Sequence, residues 1–299
     1  MKKAVQQIML GNVTKSEKET SETLKRIKAA GYDSLELNGF MIRPTPFMVR
    51  MLTKFAGMPA GKGGNYNWKV LLDEAGLGVA AIHEDLGSLE ERTAEVIEEA
   101  KHFHTDMVVI TGMYRFDYQD ESEVKRLCER LNKAGEELLK EDIRLLYHNH
   151  NIEFCKLRDA MGTISKEETV NAQVHDFISK TPYGLLIEET DSKYVNFELD
   201  SYWIADAGID PLTVMKRLDR RMKLYHINDR GNRMSKLPMT PIVKQDSMEL
   251  GYGNMNLLAL AEQAKSVEVD GIILESHRNH IDGDPLKSIE LSAEFMKMI

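Results

Sequence analysis

The residues that invite chemistry lie in Leu145-Leu146-Tyr147-His148-Asn149-His150-Asn151-Ile152-Glu153-Phe154, where an apolar run of strand character ends in two histidines, Asn149 and a carboxylate. Side chains on a strand alternate between faces, so His148 and His150 share one. Neutral imidazole beside carboxylate suits divalent Mn, Co, Zn or Fe. A lone histidine at a strand end reads more simply as a packed wall residue. The cluster reads as a ligand set because the pattern returns later in the chain.

The elements that must position these residues alternate between strand and helix. Residues 5–10 read as a first strand, and Ser16 opens a helical pattern that Gly31 closes after Ala30. A second strand over 34–39 carries Glu36 and Asn38 on one face, and a third over 78–82 runs into His83-Glu84-Asp85. Residues 88–104 form the next helical stretch, 106–111 a fourth strand with Gly112, Tyr114 and Arg115 at its exit, and 120–139 a further helix. The opening segment is the fifth strand. The sixth, 195–199, ends at Asp200 ahead of Ser201-Tyr202-Trp203, the seventh runs through Tyr225 to His226 with Asp229 close behind, and the last, 271–274, ends at Glu275 before His277, Arg278 and His280. Pro211 and Asp284-Pro285 are helix starts. The strand–helix unit recurs about eight times, the count of a closed (β/α)8 barrel, whose active sites sit at the C-terminal ends of its strands. Such a barrel would bring Glu36, His83, His148, His150, Asp200, His226 and Glu275 around one axis.

At 299 residues the chain is expected to be one domain spanning 1–299, with excursions near 156–183 and 231–253. Either excursion can be a surface insertion or a cover over the site. The cluster Gly61-Lys62-Gly63-Gly64 lacks the spacing of a phosphate-binding loop and reads as a connecting loop. A net charge of −9 argues against nucleic acid as a partner. Residues 1–8 lack the apolar core of a signal peptide and no run approaches membrane-spanning length, so a cytoplasmic protein without membrane partners is expected. Cys128 and Cys155 form neither a disulfide framework nor a zinc knuckle, and both read as spectator thiols.

The motifs Tyr147-His148-Asn149-His150-Asn151-Ile152-Glu153-Phe154, Leu199-Asp200-Ser201-Tyr202-Trp203, Tyr225-His226-Ile227-Asn228-Asp229 and Leu274-Glu275-Ser276, in this order, resemble the sugar phosphate isomerase/epimerase family of xylose isomerase-like TIM barrels. The resemblance implies one divalent metal ion, Mn, Co, Zn, Mg or Fe, held by a carboxylate from strand five, an aspartate from strand six, a histidine from strand seven and a glutamate from strand eight. Asp200, His226 and Glu275 match the last three positions. At strand five this sequence departs from the family, since His148 stands where a glutamate is common and Glu153 follows five residues later. Glu153 is the favoured fourth ligand, with His148 as the alternative.

The chemistry implied is proton transfer through a metal-stabilised enediolate, with Glu275 as one base and Glu153, His148 or His150 as the other. Return of the proton to the same carbon epimerises, and return to its neighbour isomerises. Glu36, His83, Asp229, Arg278 and Trp203 are candidate substrate contacts or, in the case of Asp229, a support for its histidine neighbour. Trp68 is assigned to the core. A metal-dependent lyase or dehydratase on a keto-sugar or inosose is the runner-up, ahead of a non-catalytic sugar-binding subunit and a DNA repair enzyme resembling endonuclease IV. A homo-oligomer, dimer or tetramer, is expected.

Overall fold

The computed structural model describes residues 1–44, 65–113, 115–158, 174–233 and 246–299. The strands are β1 Lys2–Gln6, β2 Ser34–Asn38, β3 Gly78–Glu84, β4 Met107–Thr111, β5 Arg144–His148, β6 Val195–Asp200, β7 Met222–Ile227, β8 Asp229–Gly231, β9 Asp246–Met248 and β10 Gly271–Leu274. All but β8 and β9 close into a barrel in the order β1-β10-β7-β6-β5-β4-β3-β2. Every pairing within it is parallel, and β1 seals the ring on β10 with Lys2 opposite Gly271.

Each connection carries a helix: α1 Glu17–Ala30, α2 Trp68–Ala75, α3 Thr93–His102, α4 Glu121–Leu139, α5 Pro182–Glu189, α6 Pro211–Leu218, α7 Leu257–Ser266 and α8 Pro285–Met298. Local chemistry fixes their starts. Ser16 accepts from the Glu19 N–H at 3.2 Å, Asp120 accepts from Ser122 and Glu123, and Pro211 and Pro285 supply a preset φ behind the capping carboxylates Asp210 and Asp284. Gly31 ends α1 at φ 110°, a left-handed position that side chains with a Cβ resist.

Three expectations shift. The first strand is Lys2–Gln6, and Gln7–Leu10 turns into a 3-10 helix because the Gln6 side chain accepts from the Ile8 N–H at 2.7 Å. The single helix expected over 88–104 is two, Leu86–Glu91 and α3, because Asp85 caps an earlier start and Arg92 leaves helical backbone between them at φ −133°. The irregular segment 231–253 contributes β9, which pairs antiparallel with β8. The Gly61–Gly64 cluster, Tyr114, residues 159–173 of the first excursion and 234–245 of the second lie outside the described residues.

Apolar packing forms two layers. Leucine, isoleucine and valine between strands and helices make the outer core, while Ala4, Ala80, Met107, Val109, Leu146, Leu224 and Ile273 form a separate buried cluster. By strand alternation Leu146 shares a face with His148, Leu224 with His226 and Ile273 with Glu275, so this inner cluster is the apolar plug beneath a polar layer.

Candidate metal centre

The polar layer draws on five strands and the end of a sixth. Glu36 of β2, His83 of β3, His148 of β5, Glu198 and Asp200 of β6, His226 of β7 and Glu275 immediately after β10 are all buried. Strand register puts His148 opposite Glu198 and Asp200 opposite His226, so the two rungs meet along β6. His226 is central. Its Nδ1 lies 3.0 Å from Glu275 Oε2 and 3.8 Å from Asp200 Oδ2, and its Nε2 lies 2.6 Å from Glu36 Oε2 and 3.2 Å from Glu198 Oε1. His148 Nδ1 is 3.0 Å from Glu198 Oε2. His83 Nε2 stands 2.9 Å from the same oxygen and 3.0 Å from Glu36 Oε2.

Two groups of donor atoms are compact enough for a metal ion, each with all its atoms within 4.8 Å of one another: His148, Asp200, His226 and Glu275, and, overlapping it, His83, His148, Glu198 and His226. Asp200 is held from outside as well. Its Oδ1 accepts from the Tyr202 and Trp203 N–H groups at 2.7 and 3.2 Å, capping the short helix Ser201–Asp206. The side chain of Asn149 brackets the Asp200 backbone, donating to its C=O at 3.1 Å and accepting from its N–H at 3.0 Å.

The enclosed charges shift one another. Burial and the neighbouring Glu275 push the Asp200 carboxyl well above its usual range. Burial acts upward on Glu275 too, yet His277 and His226 hold it well below. Burial would lower His83, but Glu36 and Glu198 lift it to about 10. Burial and His148 lower His150 to about 3.

Glu153 is placed apart from both groups, contrary to the expectation of a metal ligand. Its Oε1 accepts from the Tyr147 hydroxyl at 2.9 Å, its Oε2 accepts from the His150 N–H at 2.9 Å, and Tyr118 and Tyr147 hydroxyls meet at 3.0 Å beside it. Gly112 makes the room, since a Cβ there would stand 2.8 Å from Glu153 Oε1 and 3.1 Å from the Tyr118 hydroxyl. The strand-five residue in both compact groups is His148.

Asp229, expected at the substrate, faces its own loop: its carboxylate accepts from the N–H groups of Arg230, Gly251, Gly253 and Met255 at 2.8–3.2 Å. Arg278 is exposed and paired with Asp246 at 2.8 Å. Trp203 is half-buried at the rim, its ring 5.4 Å from that of His150 and 5.7 Å from that of His277, which in turn sits 3.6 Å from Glu275. Trp68 is in the core, and Cys128 is buried with its thiol pushed up to about 12 by burial.

Sequence reasoning missed Glu198 and Asn149. The signal for Glu198 was present, because Asn196, Glu198 and Asp200 alternate with Val195, Phe197 and Leu199 and therefore share the inner face.

Residues 24–299 match the model of the xylose isomerase-like TIM barrel family. The chain belongs to that family. Among curated relatives of this xylose isomerase-like barrel, an inosose dehydratase of Clostridium beijerinckii is 26% identical over 191 residues, which are 62% of this chain and 52% of that one. The chain thus matches about half the length of that relative. Among solved structures, a sugar phosphate isomerase/epimerase from Parabacteroides distasonis superposes with a TM-score of 0.71 at 22% identity, covering 99% of this chain and 93% of that one. A xylose isomerase-like TIM barrel protein from Mycobacterium smegmatis, in complex with magnesium, gives a TM-score of 0.62 at 15% identity over 99% and 95% of the two chains. Both likenesses are of fold. Among the described residues no helix is long and apolar enough to cross a membrane.

Proposed function

We propose that this xylose isomerase-like barrel is a divalent-metal-dependent enzyme that isomerises or epimerises a small carbohydrate by moving a carbon-bound proton. The observation that carries the reading is the compact group of His148, Asp200, His226 and Glu275. These residues fit an ion on chemical grounds. Two imidazoles and two carboxylates are a donor set for Mn, Fe, Co or Zn, and Mg is compatible with the carboxylates. The group also presses Asp200 against Glu275, two fully buried carboxyls whose repulsion a cation would relieve.

An ion held there would supply Lewis acidity, polarising a substrate carbonyl and stabilising the negative charge that develops beside it. The protein does the rest. Glu275, at the junction of the ion-binding group and the rim, is placed to accept a proton from carbon. His150, beside Trp203 and above His148, is placed to hold or return it. Glu153 fixes the His150 backbone and so aims that ring, while Trp203 offers an aromatic face to a sugar. Proton return to the same or the neighbouring carbon then separates epimerisation from isomerisation.

The likeness to an inosose dehydratase favours elimination as the second reading, since the same proton abstraction expels a β-leaving group where the substrate carries one. Elemental mass spectrometry of protein purified without chelators, followed by product mass analysis on a panel of free sugars, inososes and keto-sugars, tests both. About one ion per chain, lost in Asp200→Asn, and a product of unchanged mass support the proposal. Loss of water selects the dehydratase. Protein that neither carries nor takes up an ion overturns both readings.

A further inference from the structure

We infer that Glu198, with Glu36, forms a carboxylate floor that decides which ring nitrogen of His148 and of His226 faces the ion-binding group. This rests on the metal-dependent reading of the site and assigns a role to residues that reading leaves unused. A neutral imidazole carries one N–H and one lone pair, and the hydrogen bond made by one nitrogen fixes the task of the other. Glu198 Oε2 lies 3.0 Å from His148 Nδ1. A carboxylate only accepts, so the hydrogen of His148 goes to Nδ1 and its lone pair to Nε2. Glu36 Oε2 lies 2.6 Å from His226 Nε2. His226 Nδ1 also faces a carboxylate, Glu275 Oε2 at 3.0 Å, so without an ion both of its nitrogens carry hydrogens; an ion in the group of Asp200 and Glu275 would take the place of the Nδ1 hydrogen, while Glu36 keeps the one on Nε2. His83 Nε2 lies 2.9–3.0 Å from both carboxylates and braces them from the β3 side.

The floor belongs to the barrel rather than to its loops. Glu36 and Glu198 are fully buried on β2 and β6, and Glu198 sits two residues before Asp200 on the same inner face. The alternative is that the overlapping group of His83, His148, Glu198 and His226 is itself the seat of the ion. That arrangement would use His148 Nδ1 and His226 Nε2 as ligands, the opposite nitrogens. Each histidine can present a lone pair in only one direction, so the two arrangements exclude each other in a neutral pair.

The experiment is a Zn2+ titration of protein labelled with 15N histidine, read by long-range 1H–15N correlation and by calorimetry, on the wild type and on Glu198→Gln. Expected are Nδ1–H for His148 and hydrogens on both nitrogens of His226 in the ion-free wild type, and, with Zn2+, shifts at His148 Nε2 and loss of the His226 Nδ1 hydrogen while Nε2–H is retained. Glu198→Gln should bind Zn2+ about 10–100-fold more weakly, with His148 distributed between tautomers. Zn2+ shifts at His148 Nδ1 and His226 Nε2 would overturn the proposal and seat the ion in the floor. Unchanged Zn2+ affinity in Glu198→Gln would overturn it while leaving the metal-dependent function standing. A wild type that binds no Zn2+, Mn2+ or Mg2+ would remove both together. The wild-type spectra decide the tautomers even where the variant fails to fold.

Discussion

Replacing Glu153 with glutamine separates a ligand from a support. In the structure the carboxylate has two acceptor duties, to the Tyr147 hydroxyl at 2.9 Å and to the His150 N–H at 2.9 Å. An amide keeps one acceptor oxygen and turns the other into an NH2 group. If that NH2 faces the His150 N–H, two donors oppose each other. If it flips, the Tyr147 hydroxyl must rotate and give up its donation. A hydrogen bond to a charged acceptor is worth about 1.5–3 kcal/mol. Against this, burial holds the Glu153 carboxyl above its usual range, so a neutral amide recovers part of the desolvation cost. The net expectation is a loss of about 1–2 kcal/mol, around the bottom of that hydrogen-bond range once the recovered desolvation is subtracted. At roughly 2–4 °C per kcal/mol, the melting temperature falls by about 2–8 °C. The assay is calorimetric melting of the ion-free protein beside a Mn2+ titration of the same sample. Because both carboxylate oxygens are engaged by the Tyr147 hydroxyl and the His150 N–H and Glu153 belongs to neither compact group, Mn2+ affinity should stay within about threefold of wild type, a difference of less than 1 kcal/mol. A drop of ten-fold or more would refute the geometry and return Glu153 to the ligand set.

Other consequences are open to the same kind of test. Gly112→Ala drives a methyl group toward Glu153 Oε1 and the Tyr118 hydroxyl, so calorimetry should show overpacking of about 1–3 kcal/mol, and an unchanged melting temperature would mean the strand exit yields freely. Glu249 accepts from Ser288 Oγ at 2.6 Å and from the Ile281 N–H at 3.0 Å and pairs with Arg233; although burial acts the other way, these partners lower its pKa. A depressed carboxylate contributes stability above its unfolded pKa and loses it as pH falls through the folded one. Amide exchange at Ile281 should therefore accelerate, beyond the intrinsic pH effect, as pH drops below about 4.5, the ordinary glutamate range. Glu249→Gln should remove that pH step, and a step that persists in the variant would assign it elsewhere.

Much of this was legible in the chain because a barrel strand announces its end. Five of the strands run into His83, His148, Asp200, His226 and Glu275 at or within one residue of their ends, and turn or capping residues mark where the helices start. What stayed hidden depends on contacts between distant segments. Glu153 looked like a ligand because its nearest visible neighbours are histidines; its partner Tyr147 faces Tyr118, which arrives from the preceding crossover. Asp229 looked like a site residue because it follows His226, but three of its four hydrogen bonds come from residues 251–255, at the far end of the second excursion. Glu198 lay inside a strand rather than at its end, and a search for strand ends passes over it.

The closure of the ring bears on how the chain acquires its function. Glu36 and His226 are 190 residues apart in sequence and touch across the barrel axis. Asp200 and Glu275 are 75 residues apart. Neither the first nor the second half of the chain holds the complete donor set, and the final seam, β1 against β10, joins strands from the two ends of the sequence. On the metal-dependent reading, tight ion binding would therefore be a late event in folding, available only once the last strand has docked. A nascent chain still lacking β10 carries the histidines of β3, β5 and β7 without Glu275. The cation proposed there would act as a clasp on a finished ring, rewarding completion and giving little to the intermediates before it.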